Sequence, residues 1–209
     1  INPTKLDVYR MKKKKLKFRA KLNGKKIKTC VFISGTGSNL KSLISYSRNY
    51  NFPIKIGLII SNEVSAKGLL IAKKYNIKHK FISSSDKTKF ERKCLLELKK
   101  NRIKFLCLAG FMKVLSKNFI KAFRYKIINI HPSLLPEYKG LNTYKRVLKN
   151  KDKYSGCTVH YVNASLDSGK IIAQKKILID KKETEKSLKM KVLNQEHILY
   201  AQSIISIFK

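Results

Sequence analysis

The sequence predicts an α/β fold: an open, mostly parallel, twisted sheet with helices on both faces and an antiparallel strand pair added near the C-terminus. Two observations support this prediction. Short apolar runs of the buried parallel type alternate with segments of helical periodicity between residues 29 and 150, which is typical of strand–helix–strand units. Beyond residue 156, two strand-like runs follow each other with only a turn between them, which indicates a hairpin. Such an architecture is called Rossmann-like.

The composition indicates one globular domain preceded by a basic segment. The 209 residues are 43% hydrophobic, which is enough for a single domain with a real core. Residues 1–28 hold 12 basic residues and one acidic residue without apolar periodicity. We therefore expect a disordered basic extension at 1–28 and one domain at 29–209. Organellar targeting by residues 1–28 is a second interpretation, although the segment is rich in Lys where Arg and Ser are typical.

The net charge of +36 raises the question of nucleic-acid binding. Of this charge, +25 lies outside residues 1–28 and is spread over nearly every predicted helix and loop. We find no basic stripe interleaved with aromatic residues, as a nucleic-acid surface would require. Nucleic-acid binding is therefore not expected as the function, although a positive field would attract anionic substrates.

The lengths of the apolar runs and the spacing of the cysteines indicate the cellular compartment of the protein. No apolar run is long enough to cross a bilayer, and no apolar segment follows the basic start as in a secretory signal. The four cysteines, Cys30, Cys94, Cys107 and Cys157, form no C-x-x-C pair. They are expected to be small core residues in a reducing compartment, without a metal or a disulfide. We expect a cytoplasmic protein with no membrane partner.

The first predicted strand, Thr29–Ile33, ends in the glycine-rich loop SGTGSN and a helix. Gly35 and Gly37 would let the backbone approach a ligand, and the free amides of a helix N-terminus favour a phosphate. The loop lacks the full G-x-G-x-x-G pattern, so it does not indicate a dinucleotide. From these residues alone, an ordinary tight turn is an equally good interpretation.

Alternation of strands and helices continues through the middle of the chain. The predicted elements are strand 54–61, helix 66–75, short strand 78–81, helix 86–101 capped by Asp86, strand 105–110 and a helix capped by Ser116. Met112 to Leu115 follow the strand at 105–110, and their spacing alone is explained by packing between a strand and a helix.

The stretch Asn129–Pro136, of sequence NIHPSLLP, follows an apolar strand and has the composition of a rigid loop. Asn129 and His131 are two residues apart, so their side chains point to the same side of an extended chain. In α/β sheets, ligands bind beyond the carboxyl ends of the strands. The amide and the imidazole are therefore candidates for one site, and a histidine satisfied within a turn is the alternative.

The last third of the chain supplies the remaining elements. They are helix 143–149, strand 157–162, a turn at 165–169, strand 171–179 and a helix from about residue 183. By its position, His160 could be a core histidine, and Asp167 could be an ordinary turn residue. Glu196 lies on the last helix.

Four motifs in one order, SGTGSN, AGFM, NIHPSLLP and SLDSG, resemble those of the folate-dependent formyltransferases over residues 29 to about 208. The first motif is similar to the phosphate-binding loop of the members that act on glycinamide ribonucleotide. The resemblance implies transfer of a formyl group from 10-formyltetrahydrofolate to the amine of 5-phosphoribosylglycinamide in de novo purine synthesis. No metal is implied.

The resemblance also assigns roles to individual residues. Asn129 and protonated His131 would stabilise the oxyanion, His131 would act as the general acid, and Asp167 would favour the charged form of His131. Glu196 would meet the attacking amine, and His160 would lie beside the catalytic pair. The substrate phosphate would bind at Gly37, Ser38 and Asn39. Folate would contact Lys87, Met112, Lys113, Val114, Leu115 and Asn129.

Three departures from the family pattern bear on the affinity for the folate tail and on loop rigidity. Lys87 replaces an arginine, residues 139–144 replace a loop that normally carries proline and histidines, and Lys170 replaces a proline. Methionyl-tRNA formyltransferase and formyltetrahydrofolate hydrolase are alternatives, but each normally carries a further domain for which 209 residues leave no room. A basic RNA-associated protein on a nucleotide-binding scaffold is the non-enzymatic alternative.

Overall fold

The computed structural model of the protein describes residues 26–209, so residues 1–25 of the extension predicted at 1–28 lie outside the described range. The described part contains seven strands and six helices. The strands are β1 (Ile27–Ile33), β2 (Ile54–Ser61), β3 (His79–Phe81), β4 (Phe105–Leu108), β5 (Ile127–His131), β6 (Tyr154–Tyr161) and β7 (Ile171–Leu178). The helices are α1 (Ser38–Ser47), α2 (Lys67–Lys74), α3 (Lys87–Lys100), α4 (Lys117–Phe123), α5 (Thr143–Lys149) and α6 (Glu185–Ile207).

All seven strands form one sheet in the order β3-β2-β1-β4-β5-β6-β7. The first five strands in this order pair in parallel, and β6 and β7 add an antiparallel hairpin beside β5. The predicted fold class is therefore confirmed. The chain leaves β1 in one direction to reach β2 and β3, and returns past β1 to reach β4. Such a reversal opens a crevice between β1 and β4 at the carboxyl ends of the strands.

Two apolar clusters cover the two faces of the sheet. On one face, side chains of α1, α5 and α6 pack with alternate residues of β1, represented by Val31 and Ile33. On the other face, α3 and α4 pack over Cys30 and Phe32. The period of two in β1 thus divides its side chains between the clusters. The helices are held at their starts by side-chain caps where the sequence predicted them, at Asp86 and Ser116.

Two strands begin earlier than predicted. β1 starts at Ile27, which pairs with Ile54, two residues before the predicted strand Thr29–Ile33. The polar residues Lys28 and Thr29 hid this start because they interrupt the apolar run. β6 starts at Tyr154, and Gly156 within it lies so close to β7 that a Cβ there would be 2.1 Å from the Lys175 carbonyl oxygen. A glycine in mid-strand is explained by this close approach.

Two further features of the described residues concern the state of the cysteines and the apolar character of the helices. The four cysteines are free, and all four are buried, as predicted for small core residues. Between residues 26 and 209, no helix combines the length and the apolar character needed to cross a membrane.

Candidate active site

Three sequence motifs meet at the crevice between β1 and β4. The SGTGSN loop follows β1, the AGFM segment follows β4, and the NIHPSLLP loop begins within β5 next to β4. Ser34 joins the first two motifs, because its N–H donates to the Gly110 carbonyl at 3.1 Å and its Oγ accepts from the Met112 N–H at 2.8 Å. Parallel pairing of the strands therefore places these motifs at one edge of the sheet.

The SGTGSN loop leaves the start of α1 open to an anion. Gly37 precedes the helix with φ 76°, a left-handed conformation that favours glycine, and among the described residues no side chain caps this helix. The Gly68 N–H donates to the Gly35 carbonyl at 3.1 Å. A Cβ on Gly37 would lie 2.7 Å from the Gly68 Cα. The first-turn amides of α1 remain available, and they carry the positive end of the helix dipole.

Asn39 and Glu196 meet beneath this loop, although they are 157 positions apart in sequence. The Asn39 Nδ2 donates to the Glu196 Oε2 at 2.8 Å. Burial raises the pKa of Glu196 to about 7, and the hydrogen bond from Asn39 opposes the rise. The buried Asn39 Oδ1 finds no hydrogen-bond partner within residues 26–209. An acceptor of this kind can bind a donor of a ligand.

His131 and Asp167 are brought together as the resemblance implied. The His131 Nδ1 lies 3.4 Å from the Asp167 Oδ2, and both side chains are largely buried. The His131 Nε2 lies 3.0 Å from the Tyr138 carbonyl oxygen, which can only accept. The Gly140 N–H donates to the Asp167 Oδ2 at 2.9 Å. Both ring nitrogens therefore face acceptors, so each of them can donate a hydrogen bond when it carries a proton.

Asn129 is oriented by His160, its partner across β5 and β6. The His160 Nδ1 lies 2.9 Å from the Tyr161 carbonyl oxygen, so this nitrogen carries a proton. Burial lowers the pKa of His160, which keeps the ring neutral and leaves Nε2 as an acceptor. The Asn129 Nδ2 lies 3.2 Å from this Nε2. One N–H of the amide is thereby occupied, and the second has no partner within residues 26–209, so it can meet a substrate.

The residues predicted to bind folate differ in their exposure. Met112 and Val114 are 61% and 43% exposed, although both side chains are large and apolar. Lys87, the first residue of α3, and Lys113 are exposed as well. Leu115 differs from these, because its side chain is buried in the cluster beneath α3 and α4. Leu115 can therefore contact a ligand at this edge through its backbone only.

Some residues that shape the site were not assigned a role from the sequence. Gly68 fits α2 against the SGTGSN loop, and Tyr138 and Gly140 hold the catalytic pair through backbone atoms. Backbone contacts of this kind carry no signal in the residue type. For Gly68, the signal in the sequence was its place at the start of a predicted helix, where glycine is unfavourable.

A cavity of about 920 Å³ lies elsewhere, between the C-terminal ends of α3 and α4. Its lining includes Ile103 and Tyr125, which shortly precede β4 and β5, so it opens at the opposite edge of the sheet. Its basic residues face helix C-termini, where cations are stabilised by the helix dipole. We associate the site with the polar cluster and not with this cavity. Among residues 26–209, no group of three or more His, Cys, Asp or Glu could hold a metal ion.

Comparison with known proteins gives a consistent result. The profile of the family described as "Formyl transferase" matches residues 27–204. A phosphoribosylglycinamide formyltransferase of Haemophilus influenzae is 37% identical over 176 residues, covering 83% of this chain and 83% of the relative. A trifunctional purine biosynthetic protein adenosine-3 of Chironomus tentans is 38% identical over 179 residues. The match covers 83% of this chain but spans only 13% of that much longer relative.

The solved structures agree with the sequence comparison. The crystal structure of phosphoribosylglycinamide formyltransferase from Bacillus halodurans superposes with a TM-score of 0.84 at 30% identity. The superposition covers 87% of this chain and 95% of the other. Similarity therefore extends over the strands, the helices and the edge of the sheet where the polar cluster lies.

Proposed function

The chain belongs to the formyl transferase family, and from this premise we propose that it transfers the formyl group of 10-formyltetrahydrofolate to the amine of 5-phosphoribosylglycinamide. One observation carries the proposal. An uncapped helix N-terminus suited to a phosphate and the cluster of Asn129, His131 and Asp167 lie at the same edge of one sheet. A substrate with a phosphate at one end and an amine at the other would span these two places.

Binding begins with the two ends of the substrates. The phosphate would accept hydrogen bonds from the first-turn amides of α1 at Gly37, Ser38 and Asn39. The folate ring would lie along residues 112–115, against the exposed side chains of Met112 and Val114. Lys87 and Lys113 would face the anionic tail of the folate, since both side chains are exposed.

In the chemical step, the amine attacks the formyl carbon and a C–N bond forms. The carbonyl oxygen becomes an oxyanion, which would accept from the second N–H of Asn129 and from the Nδ1–H of the His131 imidazolium, since the Nε2–H of that ring faces the Tyr138 carbonyl. Collapse of this intermediate breaks the bond to the folate nitrogen, which takes a proton from His131. The proton lost by the attacking amine restores the imidazolium, and Asp167 stabilises the charge on the ring. No net proton is gained or lost by the pair.

Glu196 would orient the attacking amine from the phosphate side of the site. Its carboxylate hydrogen-bonds Asn39 at the start of α1. With a pKa of about 7, the carboxyl group changes its charge close to neutral pH. It can therefore exchange a proton with an ammonium group at little cost in free energy.

The proposal includes a location. The free and buried cysteines suit a reducing compartment, and we propose that the enzyme acts in the cytoplasm on these two small-molecule substrates. Neither a membrane nor a nucleic acid is part of the proposed reaction.

The test is an assay with the purified full chain, formyl donor and acceptor amine, following the release of tetrahydrofolate. We expect release only when the acceptor is present, and we expect none from a folded His131→Ala variant. Equal release without the acceptor would indicate hydrolysis of the donor and contradict the proposal. Salt-sensitive RNA binding without formyl transfer would favour the RNA-associated alternative.

A further inference from the structure

We propose that Tyr138, Arg146 and Asp152 form a positioning network that fixes the His131–Asp167 pair from outside the active site. The three residues, called here the Tyr138 network, lie on the loop after β5, on α5 and just beyond α5. The inference deepens the proposed function, because it concerns the same catalytic pair. None of the three side chains needs to touch a substrate for the network to act.

The segment Tyr138–Gly140 holds the catalytic pair on its inner side. The Tyr138 carbonyl accepts from the His131 Nε2 at 3.0 Å, and the Gly140 N–H donates to the Asp167 Oδ2 at 2.9 Å. Occupation of Nε2 by this carbonyl directs Nδ1 of the same ring toward Asp167. A shift of the segment would therefore move both members of the pair at once.

The backbone of this segment has an unusual conformation. Tyr138 has φ 54°, Gly140 has φ 77°, and Asn142 has φ 57°. The left-handed region is unfavourable for a bulky side chain such as tyrosine. Such a conformation persists when the surrounding structure holds it in place. The side-chain contacts of the segment are therefore expected to stabilise it.

Those contacts come from α5 and the residues that follow it. The Tyr138 hydroxyl donates to the Asp152 Oδ2 at 2.5 Å and accepts from the Asn150 Nδ2 at 2.8 Å. The Arg146 guanidinium donates to the Lys139 carbonyl at 2.7 Å and lies 5.2 Å from the centre of the Tyr138 ring. The hydrogen bond to Asp152 also raises the pKa of the Tyr138 phenol, which keeps it a donor.

The loop that follows Tyr138 has no proline to restrict its backbone. Residues 139–144 read KGLNTY, so the fixed φ of a proline ring does not hold the chain here. Arg146 binds the backbone of this loop, and Asp152 anchors the tyrosine that precedes it. These side-chain contacts are therefore the restraint that the structure shows for this segment.

The experiment compares Tyr138→Phe, Arg146→Lys and Asp152→Ala with wild type in the full chain. We expect each variant to stay folded and to lose roughly 10-fold in kcat, because small misplacements of catalytic groups are costly. The KM for the phosphate substrate should change less than about 2-fold, since the SGTGSN loop is untouched. Asp152→Asn should retain kcat, because its amide oxygen still accepts from the tyrosine.

Matched controls separate the network from general effects. Tyr50→Phe removes a hydroxyl from a tyrosine that is 80% exposed, and Arg102→Lys changes an exposed arginine far from the site. Both should leave kcat unchanged. A folded Tyr138→Phe variant with the kcat of wild type would overturn the proposal, as would an Asp152→Asn variant that is as slow as Asp152→Ala.

A second measurement does not depend on activity. The chain has four histidines, so the ¹⁵N signals of His131 can be assigned by single substitutions. In Tyr138→Phe and Asp152→Ala, the His131 Nε2 signal should move, whereas it should stay in Asp152→Asn and Tyr50→Phe. Unchanged His131 signals in Tyr138→Phe overturn the network even if the wild type proves inactive. Altered signals in an inactive wild type would leave the network in place and reject the proposed function.

Discussion

His131 and Asp167 are separated by 36 positions in sequence, yet their side chains lie 3.4 Å apart. The period of two along a strand predicted that Asn129 and His131 share a side. No local pattern could predict Asp167, because an aspartate in a turn is common for other reasons. Its backbone is left-handed, with φ 46°, which is also common for aspartate in turns. Only the resemblance to a family singled it out, and its contacts depend on tertiary packing.

The first prediction concerns this pair. His131→Ala should lower kcat by about 10²-fold or more with little effect on the substrate KM, since a general acid acts in the transition state. Asp167→Asn should also lower kcat, because His131 loses the carboxylate that lies 3.4 Å from its Nδ1. Members of one catalytic unit are non-additive. Effects of the two changes that simply add in log kcat would contradict the mechanism.

Glu196 provides a prediction about stability. Its pKa rises from an ordinary 4.5 to about 7 in the folded protein, so the folded state binds the proton more tightly than the unfolded state does. The stability from this group is fully present below pH 4.5 and is lost as pH rises toward 7, at a cost of roughly 3 kcal/mol. Glu196→Gln should therefore be more stable than wild type at pH 8 and about equal at pH 4, while its activity falls.

Urea denaturation of both proteins at the two pH values measures this difference. A free energy of unfolding that shows the same gap between them at pH 4 and pH 8 would rule out a buried carboxyl group with a raised pKa. A Glu196→Gln variant with unchanged kinetics would show that the carboxylate has no part in binding the substrate amine.

At the scale of elements, the sequence predicted the order and type of every strand and helix between residues 26 and 209. Apolar runs fixed the buried strands, and the caps Asp86 and Ser116 marked two helix starts. Errors concern the ends of strands. β1 and β6 extend into polar residues because backbone pairing with β2 and β7 does not require apolar side chains. Sequence patterns therefore locate elements better than they locate the ends of elements.

The loop before α1 gives the next prediction. A test by a bulky residue at Gly37 is not informative, since even a Cβ would lie 2.7 Å from the Gly68 Cα. Ser38 is half-buried at the first position of α1 and can be shortened without a clash. If the Ser38 hydroxyl donates to the phosphate beside the backbone amides, Ser38→Ala should raise the KM for the phosphate substrate about 10-fold, as expected for one lost hydrogen bond to a charged group. The kcat should be unaffected.

Ser45→Ala, on the exposed side of the same helix, is the matched control and should leave KM unchanged. Gly37→Ala should lower the melting temperature as well as the affinity, because it strains both the left-handed backbone and the contact with α2. Steady-state kinetics and thermal denaturation of the three variants distinguish these effects. A KM for Ser38→Ala equal to that of wild type would show that the Ser38 hydroxyl does not bind the phosphate, which would then be held by the backbone amides alone.

At the scale of the whole molecule, the order and parallel direction of the strands determine where the active-site residues meet. Three motifs that lie up to about 100 residues apart end at one edge because β1, β4 and β5 are neighbours and point the same way. The charge of the chain does not mark this edge, since basic residues occur in nearly every helix and loop. The basic cavity between α3 and α4 illustrates the point, because it lies at the other end of the sheet.

The last prediction concerns where the folded domain begins. Ile27 is half-buried, and its N–H donates to the Pro53 carbonyl at 2.9 Å. The Lys26 Nζ donates to the carbonyls of Ser47 and Asn49 at 2.7 and 2.6 Å. A chain that starts at Lys26 keeps these contacts and should match the full chain in activity. A chain that starts at Thr29 loses them, at a cost of roughly 2 kcal/mol from hydrogen bonds and apolar burial.

For a protein of this size, such a loss lowers the melting temperature by roughly 4–8 °C. Thermal denaturation and kcat of the two truncated chains and the full chain provide the measurement. Equal melting temperatures for the chains that start at Lys26 and Thr29 would mean that the contacts of residues 26–28 at the start of β1 add no stability. A drop in kcat already in the chain that starts at Lys26 would instead show that residues 1–25 contribute to the reaction, since every contact within residues 26–209 is retained in that chain.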